Sequence, residues 1–307
     1  MQNPENFKSG YVAVAGRPNV GKSTLVNLLL GQKVAAVSPR PQTTRKRQLG
    51  ILTRPDAQII FIDTPGLHKP VHKLGEVMNS QAFEALTDAD VILFLVDASM
   101  TPAAEDYLAA ERLTGMGEAV LAKTLLVVNK MDLITPAQVA DRLLAYQNLL
   151  PMTPLYPIAA IVNSNCDLLL GVVLERLPFG PVYFPEEQVT DMYEREISAE
   201  LIRAAALINL RDEVPHGIAV RVEQYTERGD SGAYIVATLF VERESHKAIV
   251  IGQAGKMIKE IGATARQEIE SMSGRKVFLD LHVKVRANWR DDQTALRQFG
   301  FDPEKEK

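Results

Sequence analysis

Four short runs in the first 180 residues are apolar at nearly every position: "YVAVAG" (11–16), "AQIIFID" (57–63), "VILFLVDAS" (91–99) and "TLLVVNK" (124–130). A strand with one wet face alternates apolar and polar residues, so unbroken runs predict strands covered on both faces. Between them lie stretches with helical spacing. These are "KSTLVNLLL" (22–30) closed by Gly31, the stretch around 103–116, and "TPAQVADRLLAYQNLL" (135–150). In the last, Thr135 can cap and Pro136 can open a helix. Strand–helix alternation predicts a largely parallel α/β sheet wrapped by helices, with ligands held by loops at the C-terminal ends of its strands.

The pattern then changes. "LPFGPVYFPEEQ" (177–188) carries three prolines and one glycine and reads as a linker. Beyond it the order is helix 191–210, strands near 218–226 and 233–242, two helices around "GQAG", a strand at 276–285 and a short C-terminal helix. This is α+β rather than α/β. The expected division is an α/β domain at 1–180, a linker at 181–190 and a second domain at 191–307.

Composition narrows the classes. A chain of 307 residues can hold two cores, and 46% hydrophobic with 23% charged residues is ordinary for a soluble protein. No apolar run approaches the roughly 20 residues of a spanning helix. The start, "MQNPENFKSG", has neither the charged nor the apolar region of a signal peptide. The single cysteine, Cys166, fits a reducing compartment, so a cytoplasmic location is expected. His68 and His72 are four apart but sit in a Pro- and Gly-rich loop with no Cys or third ligand near, a poor basis for zinc.

"GRPNVGKS" (16–23) follows a predicted strand and opens a predicted helix, as a phosphate-binding loop must. Backbone N–H groups of such a loop converge on phosphate oxygens, Lys22 reaches the β- and γ-phosphates, and the Ser23 hydroxyl coordinates Mg²⁺. Asp63 ends a second apolar strand in "DTPGLHKP" (63–70), where an aspartate of the metal shell belongs, and the Gly66 amide is then available to a γ-phosphate. "NKMD" (129–132) chooses the base. A carboxylate only accepts, and guanine offers N1–H and an amino group side by side, so Asp132 suits guanine and would be left unpaired against adenine. Asn129 can tie this loop to the phosphate loop, and the Lys130 stem can cover the base. An ATPase or kinase is therefore a poor alternative. The nucleotide-contacting set is Gly16, Arg17, Pro18, Asn19, Val20, Gly21, Lys22, Ser23 and Thr24, then Asp63, Thr64, Pro65, Gly66 and Leu67, then Asn129, Lys130, Met131 and Asp132.

With these motifs the chain resembles the Era-type GTPases. The resemblance is carried by "GRPNVGKSTL", "SPRPQTTRKRQLGI", "DTPGLHKPVHKLGE" and "NKMD", and runs on through "VIGQAGKMIKEIG" and "VKVRANWRDD". It implies a P-loop GTPase domain followed by a prokaryotic-type KH domain, with GTP/GDP and Mg²⁺ as ligands. It makes "PQTTR" (41–45) the first switch, with Thr44, or as runner-up Thr43, closing on Mg²⁺ beside Ser23 and Asp63. Lys22, Thr44, Asp63 and Gly66 become the catalytic set. The family's last guanine motif is usually Ser-Ala; here it is Ala159 and Ala160. The Ala160 amide could still donate to guanine O6, while the hydroxyl that would brace the loop is gone. Leu67 stands where a Ras-like enzyme has a water-orienting glutamine, so slow basal hydrolysis is expected. RNA, a partner or a potassium ion at Asn19 could supply the missing part; equally, Leu67 could do no more than pack the second switch.

In a KH domain G-x-x-G lets the nucleic-acid backbone approach a helix–helix turn. Residues 243–290 hold ten Lys/Arg and five Asp/Glu, a local +5 within a chain of net −4. The RNA-facing set is Gly252, Gln253, Ala254, Gly255, Lys256 and Lys259, with Arg275, Lys276, Lys284 and Arg286 as a rim. Ile258, Ile261 and Ile269 lie at helical spacings and read as core. The resemblance implies the 3′ end of 16S ribosomal RNA on the maturing 30S subunit as partner, a monomeric state, and peripheral association with the inner membrane that no residue pattern here carries.

Overall fold

The computed structural model describes residues 6–38, 40, 42–229 and 232–301. In chain order the first part comprises β1 (Lys8–Ala15), α1 (Lys22–Leu30), β2 (Gln48–Thr53), β3 (Ala57–Asp63), α2 (Lys73–Asp88), β4 (Val91–Asp97), α3 (Ala104–Gly115), α4 (Glu118–Ala122), β5 (Thr124–Asn129), α5 (Pro136–Gln147), β6 (Leu155–Pro157) and α6 (Cys166–Arg176). The sheet order is β2-β3-β1-β4-β5-β6, parallel throughout except for β2, which runs antiparallel to β3.

Strand periodicity explains why the predicted strands are continuously apolar. Alternate residues go to opposite faces. Ala13, Ile60, Ile62, Ile92, Phe94 and Leu126 pack with Ala82, Leu86, Leu113 and Tyr146 on one side. Val12, Val14, Ile59, Phe61, Leu93 and Leu125 pack with Leu25, Val26, Leu169 and Val173 on the other. Each fully buried Val, Leu, Ile or Phe contributes about 1.5–3 kcal/mol, so both cores reinforce the alignment of strand ends that carries the nucleotide motifs.

The expected linker is bonded to this sheet. Gln58, fully buried in β3, donates from Nε2 to the Phe184 carbonyl at 2.9 Å and accepts from the Tyr183 and Phe184 amides at 2.8 and 3.0 Å. Further on, the Ile51 amide donates to the Val189 carbonyl at 2.9 Å and the Leu49 amide to Asp191 Oδ1 at 2.9 Å. Residues up to Asp191 therefore group with the first unit, while the second comprises 192–307 together with segments 36–43 and 70–77.

The second unit has α7 (Glu194–Asn209), β7 (Ala219–Glu227), β8 (Ala233–Val241), α8 (Glu244–Ile251), α9 (Lys256–Ser273), β9 (Val277–Val285) and α10 (Gln293–Gln298). Its sheet order is β7-β8-β9, with β7/β8 antiparallel and β8/β9 parallel. Ile261, Ala265 and Ile269 recur every four residues along α9 and are fully buried with Leu201 and Ile202 of α7 against Ile235, Ala237 and Leu239. Ile258, expected in the core, is half-buried and lines a surface cleft instead. Within this unit Arg203 of α7, itself buried, donates to the carbonyls of Gln42 (2.9 Å) and Thr43, and Asp291 accepts from the Lys73 amide at 3.0 Å.

Candidate functional site

The phosphate loop joins β1 to α1. Gly21, the residue before the helix, has φ +100°, and a Cβ there would stand 2.3 Å from the Asn129 Nδ2 atom. Only glycine lets the two loops meet so closely. Lys22 is buried and donates to the Gly16 carbonyl at 3.2 Å and the Arg17 carbonyl at 2.9 Å, so it arches over the cradle it is expected to fill with phosphate. Burial, which outweighs the neighbouring Asp63 carboxylate, pulls its ammonium down to about 8.

Beneath the cradle three side chains from three segments converge. Ser23 Oγ donates to Asp63 Oδ2 at 2.6 Å, Thr44 Oγ1 reaches the same oxygen at 3.2 Å, and the two hydroxyls lie 3.0 Å apart. Thr43 turns away, bonding the Arg40 carbonyl at 2.8 Å. Asp63 is 1% exposed, and its Oδ1 has no hydrogen-bond partner among the described residues. Burial raises its pKa against the opposing pull of Ser23, Lys22 and Thr44. An orphaned carboxylate oxygen beside two hydroxyls is costly alone and well suited to a hard divalent cation such as Mg²⁺, which takes oxygen ligands. Pro41, the first residue of the expected first switch, lies outside the described residues.

In the second switch the Thr64 hydroxyl donates to the Val14 carbonyl at 2.8 Å, and the Leu67 amide donates to the Gly16 carbonyl at 3.2 Å. Leu67 itself is 1% exposed and belongs to the core between the sheet and α2. Its side chain packs; it does not face the cradle's polar groups. His68 Nδ1 lies 2.8 Å from the Gly66 carbonyl, and His72 is bonded to Asp291 at 2.8 Å, so the two imidazoles serve separate contacts.

At the base end Asn129 is buried and donates to the Val20 carbonyl at 2.9 Å, the expected tie to the phosphate loop. Its Oδ1 accepts from the Ala160 amide at 3.0 Å. The amide expected to meet guanine O6 is thus engaged by Asn129 in this structure. The loop that lacks the serine is closed by reciprocal backbone bonds between Ala159 and Ser164, both 3.0 Å. Asp132 is exposed in a one-turn helix, and Lys130 donates to the Asn19 carbonyl at 2.8 Å and Asp97 Oδ2 at 2.6 Å.

Sequence reasoning missed the partners of Arg17. Its Nε donates to both oxygens of Asp106 at 3.1 Å, and its guanidinium lies 3.6 Å from Asp97. Burial raises the Asp106 pKa, opposed by the Ala103 amide and Arg17. For Asp97 burial also works upward, but Lys130 and Ser99 prevail and hold it below the usual carboxylate range. Two cations and two carboxylates thus join the phosphate loop to the base-recognition loop. No spacing rule links positions 17, 97, 106 and 130.

In the second unit GQAG forms the turn between α8 and α9. Gly252 and Gly255 both have positive φ (71° and 75°), and Ala254 is left-handed at φ 50°. A Cβ on Gly252 would stand 2.6 Å from Met257 Cβ, whereas one on Gly255 meets nothing within 4 Å. The first glycine is needed for packing; the second leaves an open approach. Gln253, Ala254, Lys256 and Lys259 are exposed. Arg275, expected on the rim, is tied to Glu194 and stands 3.5 Å from Glu227, so its charge is compensated within the domain. Lys276 projects with its side chain 89% exposed, 3.7 Å from Glu270. Arg286 pairs with Asp292 at 3.1 Å, while Lys284 is exposed.

Comparison with known proteins follows the same division. Residues 11–130 match the family described as 50S ribosome-binding GTPase, and residues 213–290 match the KH domain. The chain is 43% identical over 302 residues to GTPase Era of Heliobacterium modesticaldum, covering 98% of this chain and all of that one. It is 44% identical over 300 residues to GTPase Era of Ruminiclostridium cellulolyticum, covering 98% and 99%. Among solved structures, an Era in complex with MgGDPNP and nucleotides 1506–1542 of 16S ribosomal RNA superposes with a TM-score of 0.89 at 41% identity, over 96% of this chain and 99% of that one. An Aquifex aeolicus Era variant bound to GDP and AlF4⁻ gives 0.88 at 39%, over 96% and 100%.

Proposed function

The chain belongs to the Era family of GTPases, and on that premise we propose that its KH domain binds the 3′ end of 16S ribosomal RNA, with GTP hydrolysis timing that contact during 30S maturation. The observation that carries the GTPase half is the meeting of Ser23, Thr44 and Asp63 on one carboxylate oxygen. These three residues would hold Mg²⁺, which when bound neutralises charge developing on the β- and γ-phosphates. Lys22 exchanges its two carbonyl contacts for phosphate oxygens, and the loop amides at the α1 N-terminus orient the phosphates. Thr44 belongs to a segment whose order depends on the γ-phosphate in such switches. Arg203 holds the two carbonyls just before it, which favours a link between nucleotide state and the second unit.

Leu67 offers the attacking water no hydrogen bond, and its burial supports a slow basal rate. A potassium ion at Asn19 is our candidate for the missing electrostatic assistance. A reading in which the protein binds GTP but scarcely turns it over is separated by measuring phosphate release with and without RNA. We place the protein in the cytoplasm as a monomer, with peripheral membrane contact as a secondary proposal from the family resemblance. No helix among the described residues is long and apolar enough to cross a membrane.

The test is a chemical footprint of the protein on 16S ribosomal RNA, with a non-hydrolysable GTP analogue and then with GDP. Protection confined to the 3′ end and stronger with the analogue is expected. Equal protection in both states removes the switch, and no protection at the 3′ end removes the RNA assignment.

A further inference from the structure

Lys130 is the second residue of the base-recognition loop, and its backbone sits at φ +64°, a left-handed region that residues with a Cβ rarely adopt. Such a conformation persists where the surroundings over-determine it. Two acceptors from other segments hold this one. Lys130 Nζ donates to the Asn19 carbonyl of the phosphate loop at 2.8 Å and to Asp97 Oδ2 at 2.6 Å. The first acceptor is neutral. The second is the one carboxylate among the described residues that pairs with this ammonium.

Asp97 is fixed through both its backbone and its side chain. It ends β4 in register with Asn129 at the end of β5, and the next amide, of Ala98, donates to the Asn129 carbonyl at 2.8 Å. The buried Tyr146 hydroxyl donates to the Asp97 carbonyl at 2.7 Å. On the side chain the two oxygens are divided. Oδ1 accepts from the Ser99 amide at 3.0 Å and the Ser99 hydroxyl at 2.6 Å, which leaves Oδ2 to Lys130. Arg17 stands 3.6 Å from Oδ2, beyond hydrogen-bond reach, with its Nε committed to Asp106. Asp97 therefore bonds the base loop, while Asp106 bonds the phosphate loop. The Asp97 carboxylate is buried, which works against its charge, and Lys130 and Ser99 outweigh that burial.

We propose that Asp97 is a positioning residue for guanine nucleotides, fixing the Lys130 ammonium so that the lysine stem lies ready over the face of the base. A free lysine stem samples many rotamers and has to be ordered when the base arrives. A stem already clamped at its far end loses less entropy on binding. Preorganisation of this kind slows nucleotide release without touching the phosphates. Ser99 takes part by holding the other carboxylate oxygen, which sets the direction of Oδ2. The inference rests on the reading that Lys130 covers the base, and it adds the residue that acts through it.

The experiment uses the full chain and reads release of a fluorescent GDP derivative in a double-mutant cycle. Asp97→Asn offers one acceptor oxygen where two are needed, because the Ser99 amide and the Lys130 ammonium can only donate. It should speed release about tenfold, the scale of one hydrogen bond to a charged group. KM for GTP should rise by a similar factor with kcat within about twofold, the pattern of lost uniform binding. In a Lys130→Ala background the same change should alter release by no more than about twofold, since nothing remains for Asp97 to position. Ser99→Ala, at an exposed residue, is a second probe that spares the buried carboxylate. It should speed release about threefold with Lys130 present and leave it unchanged with Lys130→Ala. No acceleration, or equal acceleration in both backgrounds, refutes the positioning role and leaves Lys130 on the base. Unchanged release in Lys130→Ala alone removes Lys130 from the base, and the proposal falls with that reading.

Discussion

Both carboxylate oxygens of Asp106, in the first turn of α3, lie 3.1 Å from Nε of Arg17, the second residue of the phosphate loop. Asp106 is fully buried and Arg17 nearly so. Asp106→Asn leaves a buried guanidinium with only Asp97 for charge compensation, and breaking such a pair costs about 3–5 kcal/mol. We expect that loss in denaturant unfolding, together with faster GDP release because the phosphate loop loses its anchor. A variant with unchanged GDP release would show that the pair serves α3 alone.

Burial pulls the Lys22 ammonium down to about 8 from an ordinary 10.5. Its folded pKa is lowered, so between about pH 8 and 10.5 the unfolded chain holds more protons, and this group's contribution to stability rises with pH. Phosphate restores the proton. Nucleotide binding above pH 8 should therefore take up protons, and affinity should fall as pH rises further. Calorimetry at pH 8.5 in two buffers of different ionisation enthalpy reads the uptake directly; identical apparent enthalpies would refute it.

Asp132→Asn should weaken GTP binding and favour xanthosine nucleotides, because an amide donor suits a carbonyl at C2 where guanine has an amino group. Asp132 is exposed, so folding should be spared. Competition between GTP and xanthosine triphosphate decides it, and unchanged preference would remove Asp132 from base recognition.

Gly255→Asp should abolish RNA binding with nucleotide affinity intact. Space is open around Gly255, so the folded protein can accommodate the side chain, although φ +75° adds some strain. The carboxylate then stands where a phosphate must approach. RNA binding that survives in the folded variant would reduce GQAG to a helix turn.

Leu67→Ala should destabilise the protein by about 2–5 kcal/mol, the cost of emptying a core position, yet leave single-turnover hydrolysis within about tenfold, or roughly 1.4 kcal/mol of barrier. A collapse of hydrolysis with GTP binding intact would make the leucine catalytic. Replacing sodium by potassium should raise turnover in the wild type and not in Asn19→Ala.

What was legible follows range of interaction. The four apolar strands and GQAG lie where local pattern puts them, because burial on both faces and a tight helix turn each leave a mark within a few residues. The edge strand β2 and the helix α2 were not assigned, although Leu74, Val77, Met78, Ala82, Ala85 and Leu86 are spaced for one helix face. The Arg17–Asp106 pair, the Arg275–Glu194 pair and the Asn129–Ala160 bond join residues far apart in sequence, and no local period records them. Charge counting placed Arg275 on the RNA rim for the same reason: it counts cations without seeing their partners.

The strap from Tyr183 to Asp191 has a practical meaning for dividing the protein. β2 is the outermost strand, and the strap supplies partners to its Leu49 and Ile51 amides and to the buried Gln58. Cutting after residue 180, where composition suggests the domain ends, would bare a hydrogen-bonding edge of the kind that recruits strands from other molecules. A GTPase fragment ending at 180 should self-associate in solution, and one carried through 191 should stay dispersed.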